Sequence, residues 1–208
     1  MPQSASISSR ISKRIDRTEP GWVFTPGDFL DLGSPHSVGM ALTRLQRAGR
    51  IRRLTRGIYD LPKSHPSLGS LAPSPDSIAQ AISRRNRSKI QPSEAMAANL
   101  LHLSEQVPAI PTYGTDGRSR TVRVGNQTVK LKNAAARKLG AAAMSNLVFA
   151  ALRGIGRPNV TVERIAPLRD ALSATDRKQL IKDLPLAPAW MHPFLRSIAE
   201  KRPAGARE

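Results

Sequence analysis

Closely spaced prolines interrupt the chain after its first third. Pro62, Pro66, Pro73 and Pro75 follow one another with serines and a glycine between them. Because proline fixes its own φ and lacks an amide hydrogen, this stretch suits neither a helix interior nor a central strand. A chain of 208 residues that is 39% apolar has room for two small cores. The predicted division is a domain over residues 5–62, a Pro/Ser/Gly-rich linker over 63–73, and a second domain over 74–200.

Two short helices are predicted at the start of the first domain. Isoleucine recurs every four residues from Ile7 to Ile15, which places one apolar stripe on a helix. Thr25 and Asp28 then stand at the spacing of a capping box, with proline at the first helical position between them. These signals predict a second helix that begins after Thr25 and ends near Gly33.

A third helix and a hairpin complete the first domain. Ser34 and a following proline repeat the same start signal, and Gly49 can end the helix in the left-handed conformation. The alternating sequence after it turns at an Arg-Gly pair, which predicts a two-stranded ribbon of residues 51–54 against 58–61. Three short helices followed by a basic hairpin is the order of a winged helix-turn-helix.

The charge of the chain indicates an anionic partner, and nucleic acid is the first candidate. The formal net charge is +18, and six arginines lie between residues 34 and 62 with no acid before Asp60. In a winged helix, the third helix reads base edges in the major groove while the hairpin holds phosphates. His36, Ser37 and Met40 are the candidate base readers. The predicted DNA-binding residues are His36, Ser37, Met40, Thr43, Arg44, Arg47, Arg50, Arg52, Arg53 and Arg56.

The second domain is predicted to be mostly helical around a small β element. Ser74 and Ser93 fit helix N-caps, and two alternating runs flank a Gly125-Asn126 turn. The predicted fold class is therefore α+β, a winged helix followed by helices with a β-hairpin or small antiparallel sheet. Four cations lie between residues 84 and 89. A possible second basic patch comprises Arg118, Arg120, Arg123, Lys130 and Lys132. These clusters fit either a longer DNA footprint or contact with an acidic protein or an RNA.

Sequence signals for catalysis, metal binding or a cofactor are absent. The four histidines have no ligand-like spacing, and there is no cysteine, phosphate-binding glycine loop or glycine-flanked nucleophilic serine. We therefore expect no enzyme activity and no cofactor. The sequence also has neither an apolar run of about 18 residues for a membrane span nor a secretory signal at its start. The expected location is the cytoplasm.

Residues 5–135 resemble the AbiEi-type antitoxins of bacterial type IV toxin-antitoxin systems and their shorter relatives. The resemblance rests on "RGIY" at the hairpin, residues 56–59, and on "VPAIPTYGTDGRSRTVRVG", residues 107–125. It implies a transcriptional autorepressor that binds inverted repeats upstream of its own operon, and a second domain that counters a nucleotidyltransferase-like toxin. By motif, it also implies DNA contacts by Ser37, Arg44, Arg47, Arg53 and Arg56. The alternative is a basic adaptor whose second domain binds an acidic protein or RNA, with DNA binding secondary.

Overall fold

The computed structural model describes residues 6–200, with the side chains of all but 136 and 137. The described chain mixes helices with short strands, which confirms the α+β class. It divides into two compact units. The first comprises the residues up to Ser88 together with Thr121–Val129, and the second comprises Lys89–Arg120 with the residues from Lys130 onward. The predicted start of the first domain, residue 5, lies outside the described residues.

The first unit contains three α-helices and a three-stranded antiparallel sheet of order β1-β3-β2. A two-stranded hairpin, β4 with β5, follows this sheet. The elements are α1 (Ile7–Ile15), β1 (Val23–Phe24), a 3-10 helix (Pro26–Phe29), α2 (Pro35–Arg47), β2 (Arg52–Thr55), β3 (Ile58–Asp60), β4 (Ser64–His65), β5 (Gly69–Ser70) and α3 (Pro75–Asn86).

Serine caps begin α2 and α3 at the predicted positions. The hydroxyl oxygens of Ser34 and Ser74 accept hydrogen bonds from backbone amides three residues later, at 3.2 and 3.1 Å. The Thr25 amide donates to the Asp28 carboxylate at 2.7 Å, which satisfies part of the predicted capping box. The helix that follows is a single 3-10 turn ending at Phe29, so the expected extension to Gly33 is wrong.

Aromatic rings and aliphatic side chains from α1, α2 and the sheet form the core of the first unit. Ile11, Phe24, Phe29 and Leu42 are fully buried in it. The Phe24 and Phe29 rings flank the capping box and meet edge to face, with centroids 5.4 Å apart. This contact fixes the direction in which the chain enters the helical turn.

The predicted linker forms structure that the proline pattern concealed. Within residues 63–73, Ser64 pairs with Ser70 across the β4–β5 hairpin. The division between the units falls after Ser88, later than the predicted boundary before residue 74, so α3 belongs to the first unit. The prolines fit this arrangement because Pro66 lies in the hairpin loop and Pro75 opens α3, where a missing amide hydrogen removes no helical bond.

The remaining elements include one four-stranded sheet of order β6-β7-β9-β8 and five α-helices. The Gly125-Asn126 turn joins β8 and β9 as predicted. However, β7 and β9 pair in parallel, so the expectation of a purely antiparallel sheet is wrong. The elements are β6 (Ile90–Pro92), α4 (Glu94–Leu100), β7 (Thr112–Thr115), β8 (Arg120–Val124), β9 (Gln127–Asn133), α5 (Ala143–Ile155), α6 (Val162–Ala171), α7 (Ala174–Lys182) and α8 (His192–Ala199), with 3-10 turns at Ala136–Leu139, Arg157–Asn159, Leu184–Leu186 and Ala189–Met191.

Helix α5 lies at the centre of the second unit. Val148 and Leu152 are fully buried in a core shared with α4, α6, α7 and α8. Gly154 allows α5 to approach α4 closely, because a Cβ atom at this position would lie 2.3 Å from the carbonyl oxygen of Glu94. The Glu94 carboxylate also accepts from Arg153 Nε at 3.1 Å and Lys138 Nζ at 3.3 Å.

Candidate nucleic-acid interface

Helix α2 has one buried face and one exposed face. Val38, Ala41, Leu42 and Leu45 point into the core of the first unit. Four exposed residues of α2 recur at intervals of three or four and therefore share the opposite face of the helix. These residues are His36, Met40, Arg44 and Arg47. Met40 is 48% exposed, so this face presents an apolar side chain between polar and basic ones.

The two hydroxyl residues predicted for the interface are partly buried on α2 and bonded locally. Thr43 donates its hydroxyl hydrogen to the carbonyl oxygen of Gly39 at 2.9 Å. The hydroxyls of Ser37 and the cap residue Ser34 lie 3.0 Å apart. Thr43 therefore retains acceptor capacity toward a ligand, while Ser37 is held beside the first turn of the helix.

Five of the six predicted arginines are exposed, and four of these five have no internal partner among the described residues. Arg44 and Arg47 lie in the last turns of α2, Arg53 on β2 and Arg56 at the β2–β3 turn. None of the four forms an ion pair or a side-chain hydrogen bond with another described residue. Their guanidinium groups can therefore bind an external anion without breaking an internal contact.

Arg50 and Arg52 instead belong to internal ion pairs. Arg50 donates to the Asp16 carboxylate and, at 2.6 Å, to the hydroxyl of Ser12. Arg52 and Asp60 are directly opposite each other on β2 and β3, and two bonds of 3.1 and 2.6 Å join them. The bond to Asp60 raises the pKa of Arg52. Both arginines stay predicted DNA contacts, but the Arg52 pair has a buried acid whereas the Arg50 pair is exposed on both sides.

Arg52 also fastens the β4–β5 segment to the hairpin. Its guanidinium donates to the Ser70 hydroxyl at 3.0 Å and to the Leu71 carbonyl oxygen at 2.9 Å. Asp60, which accepts hydrogen bonds from Nε and Nη2 of the same guanidinium, is only 1% exposed. Arg52 thus joins the β2–β3 hairpin to the β4–β5 segment. The sequence around residue 52 does not predict its contacts with Ser70 and Leu71.

Sequence reasoning gave no specific role to the arginines at the end of α3. Arg84 donates to the Asp28 carboxylate at 2.9 Å and to the Val23 carbonyl oxygen at 2.7 Å, which attaches α3 to the rest of the first unit. Arg85 lies beside the β2–β3 turn, since its Nη1 is 3.7 Å from where a Cβ of Gly57 would be. The only sequence signal was the cluster of four cations at residues 84–89.

The predicted second basic patch is divided between the two units. Arg123 falls in the first unit, whereas Arg118, Arg120, Lys130 and Lys132 fall in the second. Lys130 and Lys132 alternate on β9 with the buried Val129 and Leu131, so the two lysines share one face of the sheet. This face is basic, and neither lysine has an ion-pair partner in the described part of the chain.

Groups of acidic and histidine side chains that could bind a metal ion do not occur among residues 6–200. In the same range, no helix combines the length and the apolar composition needed to cross a membrane. The fold and the exposed side chains therefore define a strongly basic α+β protein with an arginine-rich helix and hairpin in its first unit.

The chain belongs to the family of unknown function DUF6088, whose model matches residues 10–180. Comparison with curated proteins gives no match. A solved structure to which the chain is similar is the crystal structure of the RV2827C protein from Mycobacterium tuberculosis. That structure is 15% identical with a TM-score of 0.42, and the match covers 94% of this chain and 78% of the other.

Proposed function

We propose that this protein is a transcriptional regulator that binds double-stranded DNA through a winged helix in its first unit. In this proposal α1, the 3-10 turn and α2 form the helix-turn-helix, and the β2–β3 hairpin is the wing. The observation that carries the proposal is the set of exposed arginines on α2 and the hairpin, which have no acidic partner among the described residues. A helix enters the major groove while a hairpin contacts the neighbouring backbone.

The exposed face of α2 would read the bases. His36 and Met40 lie in its N-terminal half, where recognition helices approach base edges, and Arg44 follows one turn later. Arginine can donate two hydrogen bonds to guanine O6 and N7, and Met40 can contact a thymine methyl group. Arg53 and Arg56 on the hairpin would bind phosphates, which position the protein without reading sequence.

The proposed biological role is autorepression by an antitoxin-like component of a type IV toxin-antitoxin system. The resemblance of residues 5–135 to AbiEi-type antitoxins supports this role. The proposed operator consists of inverted repeats upstream of the protein's own gene, and the proposed functional partner is a nucleotidyltransferase-like toxin. A repressor of this kind acts in the cytoplasm. The DNA-binding part of the proposal also has the support of α2 and the hairpin, whereas the toxin pairing rests on the resemblance.

A second candidate function is that of a basic adaptor. The face of β9 that carries Lys130 and Lys132 would bind an acidic protein or an RNA, and DNA binding would be secondary. The observation that favours this candidate is the alternation of the two lysines with buried Val129 and Leu131, which directs both cations away from the core. Replacing both lysines with alanine separates the candidates, because a regulator that binds through α2 retains its operator preference.

Two substitutions in the full-length protein test the DNA-binding proposal. Arg44→Ala should weaken binding to the native upstream duplex by about 1–3 kcal/mol and lower the preference for it over a scrambled duplex. Arg53→Ala should weaken binding to both duplexes alike. Arg157→Ala, which removes an exposed arginine from a 3-10 turn of the second unit, is the charge-matched control. The proposal fails if neither variant binds more weakly than the control.

A further inference from the structure

Arg84 bonds the C-terminal end of α3 to two other segments of the first unit. Arg84 reaches the Asp28 carboxylate and the Val23 carbonyl oxygen at 2.9 and 2.7 Å. Its side chain therefore spans the capping-box turn and β1, the strand that pairs with β3 of the hairpin. Because Arg84 is fixed, the direction of the residues that follow it is also fixed relative to the hairpin.

The next residue places a second guanidinium group at the hairpin turn. Arg85 Nη1 would lie 3.7 Å from a Cβ on Gly57, and Arg56 is the neighbouring residue of that turn. Arg56 and Arg85 are both exposed, and neither has an acidic partner among the described residues. Two arginines at one turn, with no acid among the described residues to neutralise them, favour the binding of an anion there.

A third arginine at this end of α3 has an unfavourable backbone conformation. Arg87 ends the helix with φ +51° and ψ +40°, in the left-handed region. The amides of Arg87 and Ser88 close the helix by donating to the carbonyl oxygens of Arg84 and Ser83 at 3.2 and 3.1 Å. Glycine is the usual residue at such a position, because a side chain there crowds its own backbone. Arginine at this position therefore costs stability relative to glycine, and it adds one cation at the end of α3.

We propose that Arg85 and Arg87 form, with Arg56, an arm that binds the phosphate backbone of double-stranded DNA beside the wing. This inference rests on the proposed function and extends its interface beyond residues 5–62 to the end of α3. The ligand is the sugar-phosphate backbone flanking the groove that α2 enters. The arm adds affinity and salt dependence equally for all sequences, because phosphates carry no base identity.

The test measures both the salt dependence of DNA binding and the melting temperature of full-length variants. Each phosphate contact contributes about 0.9 to the slope of log affinity against log salt. Arg85→Ala should lower the magnitude of the slope by about 0.9. The ratio of wild-type to variant affinity should therefore be about eightfold larger at 0.1 M salt than at 1 M salt. Its melting temperature should stay unchanged. Arg157→Ala is again the charge-matched control, and its slope should equal that of the wild type.

Arg87→Gly distinguishes a binding role from a structural one. Relief of the left-handed conformation should raise the melting temperature by about 2–4 °C, while loss of the cation lowers the slope by about 0.9. The arm is refuted if the wild type binds DNA but both variants keep its slope. It is also refuted if Arg85→Ala loses affinity only in parallel with its melting temperature. If the wild type itself does not bind duplex DNA, the proposed function fails and the arm fails with it.

Discussion

The ion pair between Arg52 and Asp60 gives the sharpest prediction about stability, because the neighbouring Arg53 supplies its control. Both arginines lie on β2, yet only Arg52 meets an acid. Replacing Arg52 with methionine retains much of the side-chain volume and removes the charge. The same change at Arg53 removes an equal charge from an exposed position without an internal partner among the described residues.

The expected effect follows from the burial of the two partners. Asp60 is 1% exposed and the Arg52 side chain is 34% exposed. Removing one partner of a fully buried pair costs about 3–5 kcal/mol, because the other charge remains uncompensated. Water reaches part of Arg52, so we take the lower end, about 3 kcal/mol. In a protein of this size, that loss lowers the melting temperature by roughly 6–12 °C.

The assay is urea denaturation of Arg52→Met, Arg53→Met and Arg52→Met/Asp60→Asn, supported by thermal melting. Arg53→Met should stay within about 0.5 kcal/mol of the wild type. The double variant should regain part of the loss, because the buried carboxylate is no longer charged. DNA affinity, measured well below both melting temperatures, should show the opposite order. Arg53→Met should bind DNA more weakly than Arg52→Met, although it is the more stable of the two. Equal stability of Arg52→Met and Arg53→Met would refute the reasoning.

Two further predictions concern packing and pH. Gly154→Ala should destabilise the second unit by about 1–3 kcal/mol in urea denaturation, because the new Cβ meets the α4 backbone at 2.3 Å. Gly39→Ala is the control within α2, where a Cβ meets no atom within 4 Å, and should stabilise by about 0.5–1 kcal/mol. The Arg14 guanidinium lowers the pKa of Asp31 below its ordinary 3.8 through their hydrogen bonds. Because the pKa of Asp31 is lower in the folded state than in the unfolded state, the ion pair stabilises the fold above about pH 4. Denaturation of the wild type and Asp31→Asn, followed from neutral to strongly acidic pH, should show this stability advantage of the wild type disappear as acid protonates Asp31.

Local signals in the sequence were sufficient for most helix starts and turns. The cap at Ser34, the capping box at Thr25 and the turns at Gly57 and Gly125 all occur where they were predicted. Each depends on residues within four positions of one another. The predicted length of the second helix was wrong, because no local residue requires the 3-10 turn to continue past Phe29.

Contacts between distant residues could not be predicted in the same way. The pairing of β7 with β9 is parallel, and alternation along a strand contains no information about the direction of its partner. The sequence did not distinguish Arg52 from the other arginines of the hairpin. Its hydrogen bond to Leu71 forms only because the β4–β5 segment packs beside β2. For the same reason, the position of Arg85 beside Gly57 became visible only in three dimensions.

The most direct test of the account is fluorescence anisotropy of the full-length protein with its own upstream duplex and with a scrambled duplex, across a salt series. If the exposed Arg47, Arg53 and Arg56 each neutralise a phosphate, the slope is about −2.7 and affinity falls roughly 40-fold between 50 and 200 mM salt. The account predicts at least this slope and tighter binding to the native duplex. Equal binding to both duplexes, or affinity that barely changes with salt, would contradict it.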